Sequence, residues 1–273
     1  MLKYLLIILS VFVVLFLLYV LAVRGKKGHP GLQALRGWSY AHRGLHNEAR
    51  PENSMAAFRA ALEKGYGIEL DIHLLKDGNL AVIHDHSLKR TAGVDIQIED
   101  LTTDQLKDYH LEGTEETIPT FREVLDLFDG KAPLIVELKA TGSNPGKLTE
   151  TACQMLDQYK GVYCLESFDP RCIHWLKKHR PELIRGQLTE NFFKAKKNPL
   201  PWILKLVMSK QLVNFLTVPH FVAYKFLDRK TLGNFLVRKL WGTQGVTWTL
   251  TSPREHEAAI KEGWIPIFEN YEP

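Results

Sequence analysis

From residue 38 onward the chain alternates short strand-like apolar runs with helical patterns, and this restricts the fold more than any other feature. Strand-like runs occur at Trp38–Ala41, Ile68–Leu75, Leu80–His84, Leu134–Leu138, Val162–Leu165, Ile184–Leu188, Phe221–Phe226, Val246–Leu250 and Ile265–Phe268. The spacing predicts helices between most of them: Met55–Lys64, begun by Ser54 and stopped by Gly65, then Thr120–Phe128, Thr149–Gln158, Pro170–Lys178 and Pro253–Glu262. Such alternation argues for a parallel sheet wrapped by helices, and about eight repeats point to an α/β fold closed as a (β/α)8 TIM barrel. There is one strand candidate too many. Only Lys76-Asp77-Gly78-Asn79 separates the second run from the third, too short for a parallel crossover, so that pair is predicted as an antiparallel hairpin. With Leu75 opposite Leu80, Asp71 faces His84 and Glu69 faces His86, and all four side chains share one face.

Upstream lies a different kind of segment. Tyr4 to Val23 is uncharged, and Ser10 is its only member outside the apolar set. At a rise of about 1.5 Å per residue it spans roughly 30 Å, the hydrocarbon thickness of a bilayer. A cleaved signal peptide is the rival reading, with Val20-Leu21-Ala22 as a small-residue cleavage site, but the run exceeds the roughly 7–15 residues of a signal core. A retained transmembrane helix is therefore expected. Arg24, Lys26 and Lys27 outweigh Lys3 and the amino terminus by one charge, which favours a cytosolic domain. The expected division is an anchor over 1–23, a basic linker over 24–37 and one large domain over 38–273.

The 35 Lys+Arg against 31 Asp+Glu leave a net charge of +4, too mild for a nucleic-acid binder. Cys153, Cys164 and Cys172 are too few for a disulfide framework, lack zinc-ribbon pairing, and read as small half-buried apolar residues.

Chemistry is carried by charges inside apolar strands. Ile68-Glu69-Leu70-Asp71-Ile72 and Ile135-Val136-Glu137-Leu138-Lys139 put acids where a barrel strand points alternate side chains into its core. One such acid reads as a buried ion pair. Three carboxylates on two strands, with Lys139 beside them, fit a hard-cation site of Mg²⁺ or Ca²⁺ better than zinc, with a structural ion-pair network as the alternative. His42 closes the first strand and His84 the third, near the strand ends where barrel sites assemble. Two imidazoles can give and take protons in one cycle, and Arg43 can grip an anionic oxygen, so phosphoester chemistry is expected. His86 reads as an edge residue; His29, His46 and His73 have no clear role.

His42-Arg43-Gly44, Pro51-Glu52-Asn53-Ser54, Glu69-Leu70-Asp71, Lys76-Asp77-Gly78, His84-Asp85, Leu88-Lys89-Arg90-Thr91, Ile118-Pro119-Thr120 and Glu137-Leu138-Lys139 occur in the order seen in glycerophosphodiester phosphodiesterases. The resemblance spans about residues 38–270. It implies a distorted (β/α)8 barrel that hydrolyses a glycerol phosphodiester to glycerol phosphate and an alcohol. By the same resemblance Glu69, Asp71 and Glu137 hold a divalent cation, and His42 and His84 form the acid/base pair. Arg43 and Lys139 match phosphate-contacting positions, Glu52 a site carboxylate, and Trp248 an aromatic wall beside the glycerol. One imidazole would deprotonate the neighbouring glycerol hydroxyl and the other protonate the leaving alcohol, through a cyclic phosphate that water opens. Two positions depart from the pattern: Thr251 replaces a frequent asparagine, and Phe268-Glu269-Asn270 replaces a frequent Thr-Asp pair. Neither departure is expected to touch the acid/base or metal positions.

Asn191 to Trp241 holds ten Lys/Arg and a single acid, Asp228, more than the whole net positive charge, interleaved with Trp202-Ile203-Leu204, Leu206-Val207-Met208 and Phe235-Leu236-Val237. Basic charge mixed with apolar bulk suits a surface on anionic lipid, although barrel helices with solvated lysines give the same pattern. Beside a membrane anchor, it favours lysophospholipid or lipid-linked substrates, hydrolysed as by a lysophospholipase D, with this segment holding the barrel mouth against the bilayer. A catalytically silent phosphodiester-binding barrel is disfavoured by the intact His42 and His84. A zinc amidohydrolase would carry a His-x-His pair where His42-Arg43-Gly44 stands.

Overall fold

The computed structural model describes residues 1–194 and 200–273; Lys196 and Lys197 of the basic segment lie outside the described residues. Nine strands form: β1 (Tyr40–His42), β2 (Gly67–Leu74), β3 (Leu80–Val82), β4 (Leu134–Leu138), β5 (Tyr163–Ser167), β6 (Arg185–Thr189), β7 (Phe221–Lys225), β8 (Gln244–Leu250) and β9 (Trp264–Phe268). Eight of them, all but β3, pair in parallel, and β1 bonds both β2 and β9, which closes the barrel.

The helices sit where local chemistry puts them. The Ser54 side chain accepts from the Ala57 amide to start Met55–Glu63, and Thr120 with Glu123 forms a capping box for Phe121–Phe128. Pro145 and Pro170 begin Pro145–Leu156 and Pro170–His179, where a missing N–H costs nothing. Apolar faces of these helices meet the outer faces of the strands, as Phe58, Phe121, Phe128 and Leu176 do. Inside the barrel Tyr40, Ile135, Cys164, Phe221, Val246 and Ile265 fill the lower layers. Gly67 makes room there, since a Cβ on it would come within 2.8 Å of the Tyr40 ring. The three cysteines are free and buried.

β3 is the surplus strand, an antiparallel arm on β2, and its register differs from the expected one. Leu74, not Leu75, lies opposite Leu80. Leu75 is taken into the turn: it accepts from Gly78 N at 3.0 Å, donates to Asn79 O at 2.8 Å, and Gly78 holds φ at +88°. The slip puts Ile83 N on Asp71 O at 3.1 Å, and β3 ends at Val82, before either histidine. Glu69, Asp71, His84 and His86 therefore share no strand face. A satellite core of Leu75, Ile83, Leu88, Ile98, Leu106 and Leu111 packs beneath this arm and the connection to β4.

The N-terminal helix Leu2–Ala22 has the length and apolar composition to cross a membrane, and none of its residues is buried. Its one serine is satisfied internally, Ser10 donating to Leu6 O at 2.8 Å. The following residues cross the end of the barrel where the strands begin. Lys26 N donates to Pro219 O, His29 stacks on His220, and Leu32 and Leu35 are buried under the lower core.

Candidate active site

Period two along each strand turns the inward positions from apolar to charged toward the strand C-termini. Ile135 gives way to Glu137 and Lys139, Cys164 to Glu166, Gly67 to Glu69 and Asp71, Tyr40 to His42, and Ile267 to Glu269. Glu69, Asp71 and Glu137 are buried with ligand oxygens within 4.8 Å of one another, bringing together the three predicted metal residues. Lys139 Nζ stands 3.1 Å from Asp71 Oδ1 and 2.9 Å from Glu137 Oε1. Arg43 Nε lies 3.5 Å from Asp71 Oδ2, and its backbone amide donates to Glu69 Oε2 at 3.2 Å.

A fourth acid, Glu166, lies beside Glu137 in the β4–β5 register, and its Oε2 is buried without a hydrogen-bond partner. Its signal was present in Leu165-Glu166-Ser167, another acid in an apolar run. Glu69, Asp71, Glu137 and Glu166 thus meet two cations, Lys139 and Arg43, and Arg43 is shared with Glu52. Burial, with Asp71, Glu137 and Glu166 nearby, drives the Glu69 carboxyl well above its usual range, and burial does the same to Glu166. Burial also opposes ionisation of Asp71, but Lys139, His84, Arg43 and the Asn53 amide overcome it and hold that carboxyl far down. Burial disfavours the Lys139 ammonium, yet Asp71 and Glu137 outweigh it and raise its pKa. An all-oxygen donor set in which burial and neighbouring carboxylates favour protons on Glu69 and Glu166 fits a hard divalent cation, whose charge would take the place of those protons.

Both predicted histidines line the same small cavity above this floor, together with Glu166, Phe168 and Trp248. Each is held by a carboxylate on Nδ1. His42 Nδ1 is 2.5 Å from Glu269 Oε2, and His84 Nδ1 is 2.6 Å from Asp85 Oδ1. Such a partner fixes the Nδ1 proton, leaving Nε2 to accept a proton in the neutral ring or to donate one in the imidazolium. His42 Nε2 is 3.9 Å from Glu69 Oε2. Burial lowers the His42 pKa although the Glu269 bond acts against it, and the bond to His42 pulls Glu269 down to about 2. The contact corrects the reading of Phe268-Glu269-Asn270: this departure touches His42, the residue expected to be part of the acid/base pair, directly. Thr251 does not, since it bonds Glu255.

Glu52 accepts from Arg43 Nη1 at 2.8 Å and from Arg90 Nη2 at 2.6 Å, and Arg90 Nε in turn holds Asp85. His84, Asp85, Arg90, Glu52, Arg43 and Asp71 therefore form one continuous chain of charge-assisted contacts. Trp248 stands edge-on to Phe168 at 5.6 Å, its indole N–H buried without a partner. His73, without a role in the sequence reading, is buried behind the site with Nε2 3.2 Å from His84 O and Nδ1 2.7 Å from Glu99 Oε1. Glu99 also meets His86 Nδ1 at 2.8 Å.

Fold and site together define a closed (β/α)8 barrel with a polar centre at the strand C-terminal ends. Residues 42–271 match the Glycerophosphoryl diester phosphodiesterase family. The chain belongs to that family. It is 35% identical over 158 residues to a glycerophosphodiester phosphodiesterase of Caldanaerobacter subterraneus subsp. tengcongensis, covering 54% of this chain and 65% of that protein. It is 34% identical over 133 residues to Lysophospholipase D GDPD1 of Rattus norvegicus, covering 44% and 41%. The chain thus spans about half the length of the curated relatives it matches. Among solved structures, a putative glycerophosphoryl diester phosphodiesterase from Silicibacter pomeroyi superposes with a TM-score of 0.71 at 20% identity, covering 89% of this chain and 95% of that one. An Oleispira antarctica phosphodiesterase, solved with the product sn-glycerol-3-phosphate, gives 0.70 at 22% identity, covering 86% and 93%.

Proposed function

We propose that the chain hydrolyses glycerophosphodiesters to glycerol phosphate and an alcohol, dependent on one Mg²⁺ or Ca²⁺, and that lysophospholipids are among its substrates. The observation that carries this reading is the shared cavity: two imidazoles, each held by a carboxylate on Nδ1, stand over a floor of four buried carboxyl groups. Glu69, Asp71 and Glu137 would hold the cation. Bound there, it supplies charge neutralisation for the anionic phosphoryl group.

The chain's own residues do the rest. Arg43, fixed by Glu52, and Lys139 face the phosphoryl oxygens, and Trp248 packs beside the glycerol. His42 is kept neutral by burial, so its Nε2 takes the proton of the glycerol hydroxyl next to the phosphoester. That oxygen bonds to phosphorus as the bond to the leaving alcohol breaks, and His84, entering the step as the imidazolium with Asp85 on Nδ1, gives the alcohol its Nε2 proton. The two histidines then exchange roles: His84 takes a proton from water, water oxygen bonds to phosphorus, and His42 returns its proton to the ring oxygen as the cyclic phosphate opens. Intramolecular attack gains from proximity, and each imidazole is oriented before substrate arrives.

The same reading divides the chain into a membrane anchor over 1–23, a basic segment over 24–37 and a catalytic domain over 38–273, placed on the cytosolic side by Arg24, Lys26 and Lys27. Support for a lipid substrate comes from the apolar helix and from the similarity to a protein named Lysophospholipase D. The test is turnover of glycerophosphocholine, glycerophosphoethanolamine and lysophosphatidylcholine by the full chain, with EDTA and then with Mg²⁺ or Ca²⁺ restored. Release of glycerol phosphate or lysophosphatidic acid that stops with EDTA and returns with one cation is expected; activity indifferent to EDTA, or none on any diester, overturns the reading.

A further inference from the structure

The direction in which the N-terminal helix leaves the barrel is written in its contacts. Gly25 lies against Thr243 and Pro219 O, just before β8 and β7, at the end where the strands begin. One turn earlier, Val23 O accepts from Asn214 Nδ2 and Val20 O from Trp241 Nε1. Tyr19 then lies among Leu206, Ser209, Lys210 and Gly233. Ser209 belongs to the other level of the barrel, because its carbonyl accepts from Tyr224 OH and the preceding Met208 carbonyl from Thr189 Oγ1, both near strand C-termini. The helix therefore climbs the barrel wall from base to mouth as it is followed toward residue 2.

Leu2 to Leu18 are exposed, and a straight helix continued on this course carries them past the mouth. Seventeen residues extend about 25 Å, slightly short of the ~30 Å hydrocarbon core. No spacer remains between the barrel wall at Tyr19 and the membrane surface. Among the described residues the exposed large apolar side chains beyond residue 22 fall within 193–240 except for Val94, Val162 and Ile260; Phe215, Leu216 and Leu240 of that group lie toward the base, and Phe193, Trp202, Ile203 and Leu227 toward the mouth. Phe193 follows the mouth end of β6 and Leu227 the mouth end of β7, while Trp202 and Ile203 begin the helix Trp202–Ser209, whose last turn meets Thr189 and Tyr224 near the strand C-termini. Lys205, Lys210 and Lys230 are interleaved with them, as anionic headgroups would require.

We propose that the barrel mouth faces the bilayer entered by the N-terminal helix, with Phe193, Trp202, Ile203 and Leu227 seated among the lipid headgroups as an apolar rim. A lysophospholipid then reaches the cavity by moving along the membrane surface, without crossing water. The orientation rests on the anchor and lipid substrate proposed above, and two measurements on the full chain in phosphatidylcholine/phosphatidylglycerol proteoliposomes separate it from them.

The first is depth. The native cysteines are buried, so Ile203→Cys and Lys160→Cys accept a nitroxide selectively, at the mouth and at the base before β5. Label 203 is expected to be more accessible to oxygen than to a polar nickel chelate, and label 160 the reverse. A water-exposed label 203, an immersed label 160, or dipolar broadening at 203 from a second copy of the chain would each overturn the orientation, whatever the activity. The second is catalysis. Trp202→Glu with Ile203→Glu is expected to lower turnover of bilayer lysophosphatidylcholine about tenfold while leaving soluble glycerophosphocholine turnover unchanged. Equal loss on both substrates, or on neither, overturns the rim. A wild-type chain that cleaves neither diester refutes the proposed activity and leaves the depth measurement to decide orientation.

Discussion

The two ends of the barrel bury charge in opposite ways. At the base Arg185 is buried, but its guanidinium donates to the carbonyls of Thr217, Val218 and Pro181, and the Tyr40 hydroxyl donates to Leu35 O. At the mouth Glu166 Oε2 and Trp248 Nε1 are equally buried and have no partner. Burial is common to both, and the base too has neutral atoms without partners, His220 Nε2 and Thr243 Oγ1; what belongs to the base is completion of its buried charge by the protein's own carbonyls. The difference separates polar residues that hold the barrel together from polar residues that wait for a ligand.

The largest effect expected from this contrast is at the mouth. His42→Ala and His84→Ala should each lower kcat by about 10²–10⁴ while leaving the thermal unfolding midpoint near that of the wild type. Near-normal turnover in either variant removes it from the acid/base pair, and a collapsed midpoint would make the mouth as structural as the base.

A smaller effect is expected one contact outward. Glu269→Gln keeps the shape but removes the negative charge on His42 Nδ1, with about 10–100-fold lower turnover. The sign of the pH effect follows from the local charges. Glu269 raises the His42 pKa against burial and Arg43, so its neutralisation should move the acid limb of kcat/KM to lower pH. An unmoved limb would leave Glu269 only a packing role.

The smallest effect belongs to the base. His220 is fully buried, and burial, with Arg185 nearby, pushes its pKa down to about 3. The unfolded chain takes up this proton near pH 6.5, while the folded chain resists until about 3. Stability is therefore complete above pH 6.5 and should fall by about 1.4 kcal/mol per pH unit below it. Chemical denaturation of wild type and His220→Asn between pH 7 and 4 reads the difference in slope; parallel slopes would mean that the base, too, tolerates a buried charge.

Much of this was legible in the sequence, for identifiable reasons. A carboxylate inside an apolar strand is rare enough to mark Glu69, Asp71 and Glu137, and a four-residue connection forbids a parallel crossover between β2 and β3. The register of that hairpin was not legible, because Leu75 reads as a strand residue yet is consumed by the turn at Gly78. His84 lines the cavity from beyond the end of β3 rather than from a shared strand face. Glu269 was missed for a deeper reason. It meets His42 across 227 positions of sequence, where β1 and β9 join, and no local pattern reveals which strands close a ring. Glu166 had the same local signal as Glu137 and needed only the same attention.

The pairing of His42 with Glu269 stitches the seam of the ring with a working part. During synthesis the first strand waits, its imidazole unsupported, until nearly all the rest has been made and wrapped around. A half-assembled chain thus has its first-strand imidazole without the carboxylate that fixes it, and that support arrives only when the circle is completed.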